Sequence, residues 1–300
     1  MLWDMLWMMS RLNSWHADPP HDGLHAAGNA RMTAALPASL PAGLPARLLA
    51  FDTSTEQLAV AVSSPTGSAV YLGPGGARAS AALLPQVNAL CQRVGLELTA
   101  LDAIAFGRGP GAFTGLRTSC AVAQGLALGL GCPVLPIDSL LIVAEDARAQ
   151  AGVQGDGVFE VGVAMDARMG EVYAARWQWQ GGRWQALSPA TLCTPEALVA
   201  AWQAHPPAWL AGTAWAALGP RLTLPAGPQY LLQEQHRPAA LLRLAAMAFA
   251  QGPGLDAALA LPLYLRDKVA LTTLERDAVR AAAASAAALT AAPTATITAT

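Results

Sequence analysis

Two aspartates stand where short apolar strands run into polar turns. Asp52 closes Leu48-Leu49-Ala50-Phe51 and precedes Thr53-Ser54-Thr55-Glu56; Asp166 closes Val161-Gly162-Val163-Ala164-Met165 and precedes Ala167-Arg168-Met169-Gly170. A carboxylate at the carboxyl end of a strand can position a metal ion or a water, while the N–H groups of a tight turn point at a phosphate. Two such turns facing each other would form a nucleotide cleft with Asp52, Ser54, Thr55 and Asp166 in its wall. Aspartate also caps turns without any ligand, so the residues alone leave both readings open.

The third chemical feature is Gly107-Arg108-Gly109-Pro110-Gly111-Ala112-Phe113-Thr114-Gly115-Leu116-Arg117, directly after the apolar run 103–106. Glycines admit positive φ and close backbone approach. Thr114 is a candidate N-cap for the next helix, whose first N–H groups would face an anion, with Arg108 and Arg117 adding charge. Gly107, Gly109 and Ala112 also match the loose dinucleotide pattern G-x-G-x-x-G/A, with Asp138 after the strand 134–137. That alternative leaves the hairpin at Asp52 without a role. Metal ligands are scarce: His21 and His25 have i, i+4 spacing, but Pro19, Pro20 and Gly23 break any helix that would hold them, and His205 and His236 are far apart beside prolines. No metal site is expected.

The elements that must position these residues come in a repeated order. The strand 48–51 returns as Leu58, Val60 and Val62 and continues as a third strand, 68–72; after Asp166 the chain returns as Val172-Tyr173-Ala174-Ala175. A strand, Asp, turn and strand appearing twice is what an internal duplication leaves, so two lobes are expected, 47–150 and 151–277. Leu83, Leu84, Val87, Leu90, Cys91 and Val94 mark one stripe of a helix over 80–94. Pro85 lies inside it, so this helix starts near Leu84 or kinks there. A second helix, 114–130, carries Ala121, Gly125 and Gly129 in a four-residue row that lets another helix come close, within the subunit or across an interface.

Composition limits the alternatives. Charged residues make up 13% of the 300, about half of the usual ~25%, and mean hydropathy is +0.35. The long uncharged run 118–137 nonetheless contains Gln124 and several glycines and prolines, whereas a membrane span needs about 20 largely apolar residues. Lys+Arg 18 against Asp+Glu 20, with 54% hydrophobic residues, excludes both a strongly basic nucleic-acid binder and a disordered chain. Four cysteines without C-x-x-C spacing suggest reduced, buried thiols in a cytoplasmic protein. Residues 1–46 read as a disordered extension, with Met1 and Met32 as alternative starts, and 278–300 as a low-complexity Ala/Thr tail.

Taken in order, Leu49-Ala50-Phe51-Asp52-Thr53-Ser54-Thr55, the Gly107–Arg117 loop, Ala123-Gln124-Gly125-Leu126-Ala127 and Met165-Asp166-Ala167-Arg168-Met169-Gly170-Glu171-Val172-Tyr173 resemble the bacterial TsaB family of tRNA threonylcarbamoyladenosine biosynthesis proteins, YeaZ-like members of the glycoprotease superfamily. Pro262-Leu263-Tyr264-Leu265-Arg266 is similar to that family's closing segment. The resemblance implies an α/β, two-lobed, ribonuclease-H-like fold of the actin, Hsp70 and sugar-kinase type. It implies a non-catalytic subunit that pairs with the catalytic TsaD and the ATPase TsaE, forms a homodimer when alone, and meets tRNA only through the complex. It further implies a helix-bundle interface involving Leu83, Leu84, Val87, Leu90, Thr114, Ala121, Gly125 and Gly129, with Gly109, Pro110, Gly111, Gly115 and Arg117 as a structural loop. No cofactor is tightly bound in this picture, while ATP or ADP can sit at the subunit interface. The chain departs from the family at Ala79 and Ser80, where a histidine often precedes Leu-Leu-Pro. An independent ATP-binding phosphotransferase or ATPase using Asp52 and Asp166 is the rival reading. Against it, Arg168 and Met169 stand where a phosphate-binding hairpin favours glycine and hydroxyl residues.

Overall fold

Alternation along the strands decides how the layers stack. In the strand Leu48–Asp52, Leu49 and Phe51 face one way and Leu48 and Ala50 the other, and all are buried because both faces of the sheet are covered by helices. The computed structural model describes residues 31–33, 46–223 and 226–266. His21, His25 and the tail 278–300 lie outside the described residues.

The first sheet contains β1 (Arg31–Thr33), β2 (Leu48–Asp52), β3 (Gln57–Ser64), β4 (Gly67–Pro74), β5 (Ala103–Gly109) and β6 (Val134–Asp138), in the order β1-β4-β3-β2-β5-β6. β2, β3 and β4 form an antiparallel meander, and β5 and β6 run parallel to β2. Within the front extension, β1 pairs antiparallel with β4. The second sheet contains β7 (Phe159–Asp166), β8 (Val172–Gln180), β9 (Arg183–Cys193), β10 (Trp209–Ala211) and β11 (Gln229–Leu231), in the order β11-β10-β7-β8-β9. Without β1, the two sheets share one topology: an antiparallel meander from the first strand, then two strands parallel to it. The fold is α/β, two-lobed and ribonuclease-H-like, and the antiparallel meander removes the dinucleotide-binding alternative, whose sheet is mostly parallel.

On the outer face of the first sheet lie α1 (Ala79–Arg93) and α2 (Phe113–Leu130). Pro85 neither starts nor ends α1; it and Ala81 are both exposed, so the carbonyl it leaves unpaired is on the solvent side. Between the sheets lie α3 (Ser139–Gln150), packed on β7, and α6 (Arg237–Gln251), packed on β2 and β3. The far face of the second sheet carries α4 (Pro195–Ala204) and α5 (Ala214–Leu218). α6 departs from the sequence boundaries, since it follows the second sheet in the chain yet packs on the first through Leu241, Leu242 and Ala245 against Leu48, Ala50 and Ala105.

Buried charge locks the two middle helices. Glu145 of α3 accepts from Arg148 Nε at 2.9 Å and Nη2 at 2.7 Å, from Trp184 Nε1 at 3.0 Å, and from Arg243 of α6. Asp146 accepts the backbone N–H groups of Gln235 and His236, each at 2.9 Å, fixing the chain where it enters α6 and placing negative charge at that helix's N-terminus. Among the described residues no helix is long and apolar enough to cross a membrane.

The four cysteines are free thiols, with Cys91 and Cys120 buried against the outer face of the first sheet. Burial pushes both thiols up to about 11, with Glu97 adding to the effect at Cys91. Neutral, enclosed thiols react slowly because the thiolate is the nucleophile. Under native conditions at neutral pH, Cys91 and Cys120 are expected to resist a chromogenic disulfide reagent and to react at once after unfolding in guanidinium. Native and unfolded rates that coincide would contradict this packing.

Candidate functional site

Asp52 ends β2 inside the protein, with no exposed surface. Its Oδ1 accepts the Ser54 N–H at 3.0 Å, and its Oδ2 accepts Ser54 Oγ at 2.9 Å and Arg237 Nε and Nη2 at 2.9 and 2.5 Å. Arg237, equally buried at the start of α6, also donates to Ser54 Oγ at 3.2 Å and to Glu234. Burial disfavours the guanidinium charge, but Glu234 and Asp52 together more than offset it and hold Arg237 protonated. The carboxylate read from sequence as a metal or water ligand is therefore engaged by an internal cation.

The glycine loop between β5 and α2 is shaped by this turn. A methyl group on Gly107 would lie 2.1 Å from Asp52 Oδ1, one on Gly111 2.5 Å from the Ser54 carbonyl oxygen, and one on Gly115 1.8 Å from the Thr53 carbonyl oxygen. Each glycine thus allows the loop to lie directly on the Asp52 turn. Two hydrogen bonds fasten it there: Ala112 N–H to the Ser54 carbonyl at 2.8 Å, and Thr53 Oγ1 to the Gly115 carbonyl at 2.6 Å. Gly109 takes a φ of +112° before a cis bond to Pro110. Thr114 is not the N-cap. α2 starts one residue earlier, at Phe113 after extended Ala112, and has no side-chain cap.

The two arginines read as anion ligands have other partners. Arg108 pairs with Asp138 at 3.5 Å. Arg117 lies 3.9 Å from the centroid of the Phe113 ring and donates to Tyr264 Oη at 3.3 Å.

The second turn repeats the hydrogen bonding of the first, since Asp166 Oδ1 accepts the Arg168 N–H at 2.9 Å, as Asp52 does from Ser54. Its conformation differs: Arg168, Met169 and Gly170 are left-handed, with φ of 62°, 54° and 74°. Arg168 reaches across to Glu56 of the first turn at 2.7 Å. The closing segment joins the same rim. Leu263 N–H donates to the Arg108 carbonyl at 2.7 Å, Tyr264 packs on Phe113 with centroids 5.3 Å apart, and Arg266 donates to the Ala167 carbonyl at 3.0 Å and pairs with Glu171 at 2.5 Å.

These pieces enclose a cavity of about 690 Å³, whose wall includes Ser54, Thr55, Asp166 and Arg237. Asp52 sits behind Ser54, away from the cavity surface. Arg237, Glu234 and Arg266 were not singled out by sequence reasoning as cleft residues, and no local pattern marks them. Among the described residues no group of three or more His, Cys, Asp or Glu could hold a metal ion.

The expected interface residues divide. Leu83, Val87 and Leu90 are fully buried in the first lobe's own core, a correction to their assignment as partner contacts; of that stripe only Leu84 faces outward. Their helical spacing is used to pack α1 on β3 and β4. Thr114, Ala121, Gly125 and Gly129 of α2 are exposed, and a methyl group added to Gly125 or Gly129 would meet nothing within 4 Å.

A model of the TsaD family, described as tRNA N6-adenosine threonylcarbamoyltransferase, matches residues 76–226. The tRNA threonylcarbamoyladenosine biosynthesis protein TsaB of Escherichia coli (strain K12) is 35% identical over 228 residues, covering 75% of this chain and 96% of that protein. The chain belongs to the TsaB family. TsaB of Haemophilus influenzae (strain ATCC 51907 / DSM 11121 / KW20 / Rd) is 33% identical over 240 residues, 74% of this chain and 94% of that protein. YeaZ from Pseudomonas aeruginosa shares the structure with a TM-score of 0.63 at 37% identity, over 73% of this chain and 100% of that one. In this TsaB-family chain the elements around the cleft are held by the Asp52–Arg237 pair, which gives a test. Arg237→Met leaves a buried carboxylate without its cation and is expected to cost about 3–5 kcal/mol. Adding Asp52→Asn removes one of the two stranded charges, Glu234 being the other, and is expected to recover part of the loss. Urea unfolding measures both, and a loss of less than about 1 kcal/mol for Arg237→Met would show that the pair does not support the fold.

Proposed function

We propose that this chain is a non-catalytic dimerisation subunit of the tRNA threonylcarbamoyladenosine modification assembly in the cytoplasm, pairing with the transferase TsaD and with the ATPase TsaE. The observation that carries this reading is the outer face of α2. From residue 118 to 130 the helix has no charged residue, and Ala121, Gly125 and Gly129 form an open row on its exposed side. Small residues in such a row let a second helix approach closely, and obligate interfaces are more apolar than ordinary surface. Curated relatives bear the name of tRNA threonylcarbamoyladenosine biosynthesis proteins, and the TsaD-family match extends over both lobes.

The absence of chemistry of its own is part of the same proposal. The Asp52 carboxylate is bound by Arg237, and the second turn presents Arg168 and Met169 toward the cleft. These residues do not make the free carboxylate and small-residue turns that a metal–phosphate group needs, and in the proposed assembly ATP or ADP sits at the subunit interface, without tight binding by this chain alone. With Lys+Arg 18 against Asp+Glu 20, tRNA is reached through the complex, and homodimers form when the partner is absent.

Mixed with TsaD from the same organism, the chain is expected to co-elute on a sizing column, and the isolated chain to show no turnover of Mg-ATP by calorimetry. Failure ever to co-elute would remove the scaffold reading. Turnover by the isolated chain would favour a phosphotransferase.

A further inference from the structure

The closing segment does more than join the lobes. Residues 255–264 run antiparallel to α2 along its whole length. At one end Leu255 exchanges backbone hydrogen bonds with Val134, both at 2.9 Å, just beyond the C-terminus of α2. In the middle the short turn Ala257–Leu259 packs on α2, with Ala257 and Ala260 against the outer core. At the other end Tyr264 rests on Phe113, the first residue of α2. The segment is thus a third element beside α1 and α2.

Apart from Asp256, its outward side is apolar. Nine large hydrophobic side chains are strongly exposed among the described residues, and six of them, Leu84, Leu128, Leu255, Leu259, Leu261 and Tyr264, belong to α1, α2 or this segment. The remaining three, Val158, Met169 and Leu187, are scattered over the second lobe. Leu128 is 70% exposed, Leu261 60% and Leu259 52%, which is unfavourable in water unless something covers them.

Area decides how many elements a partner must cover. α2, with 18 residues, is about 27 Å long, and at helix spacings of 8–10 Å the pair α1 and α2 presents only about 450 Å². A stable interface needs about 800 Å² per partner. The segment beside α2 enlarges that flat footprint by about half, to about 700 Å², and the accessible area rises with it.

We propose that residues 255–264 form the third element of the docking face, with Leu259 and Leu261 contacting the TsaD-type protein that also covers α2. This rests on the pairing proposed above. The test measures the affinity of TsaD for the full-length chain by calorimetry, with two variants: Leu259→Ser with Leu261→Ser, and Gly125→Leu, which fills the open row on α2. Both sets of side chains are exposed, so unchanged thermal unfolding verifies that the variants fold. The expected result is a loss of at least about tenfold in affinity for each variant. Weakening by Gly125→Leu alone would overturn the third element and leave the pairing intact. If the unaltered chain does not bind TsaD, the pairing fails and this proposal with it.

Discussion

Asp52 and Arg237 form the contact on which the rest of the arrangement depends. They are 185 residues apart in the chain, and both are buried. A buried carboxylate without a cation is costly, so α6 must return from the second lobe to the first sheet to supply one. That return brings Leu241, Leu242 and Ala245 onto the inner face of the sheet and sets α6 beside α3, where Glu145 and Asp146 hold it at its middle and its start. The glycine loop lies flat on the Asp52 turn, and three of its four glycines, Gly107, Gly111 and Gly115, are positions where a methyl group would strike that turn.

Duplication made two similar turns, and side-chain chemistry made them different. Both aspartates accept the N–H two residues ahead. The first is then closed over by Arg237 and Gly107, while the second stays at the cavity wall with Arg168 bridging to Glu56. A fold able to present two phosphate-binding turns across a cleft is here held together at that cleft by protein ion pairs. The apolar surface that remains uncovered lies elsewhere, on the outer face of the first lobe, which is why the functional proposal rests on an interface.

The low proportion of charge fits this division. Charged side chains are concentrated in the middle layer and at the cleft rim, in the clusters around Glu145, Arg237 and Arg168, while the outer helices are nearly without them. A membrane is not needed to account for the composition. Two sheets covered on both faces and one uncovered helical face consume the apolar residues.

Local pattern was enough to place β2 to β8, the duplicated turns and the two outer helices, because alternation of two and spacing of three to four are properties of neighbouring residues; β1, β9, β10 and β11 were not read from it. The glycine loop and the closing segment were also legible as distinctive. What pattern left undecided was which face of each element meets which neighbour. The stripe of α1 looked like a partner surface and is mostly core, since periodicity shows that Leu83, Val87 and Leu90 share a face but not what covers it. Thr114 looked like a cap, but the chain enters α2 through Ala112, whose N–H is taken by Ser54. The role of Asp52 was decided entirely by Arg237. Sequence determined that a carboxylate would end the strand; only the tertiary structure brought a guanidinium from the far end of the chain to neutralise it, because pairing of buried charges depends on distance in space.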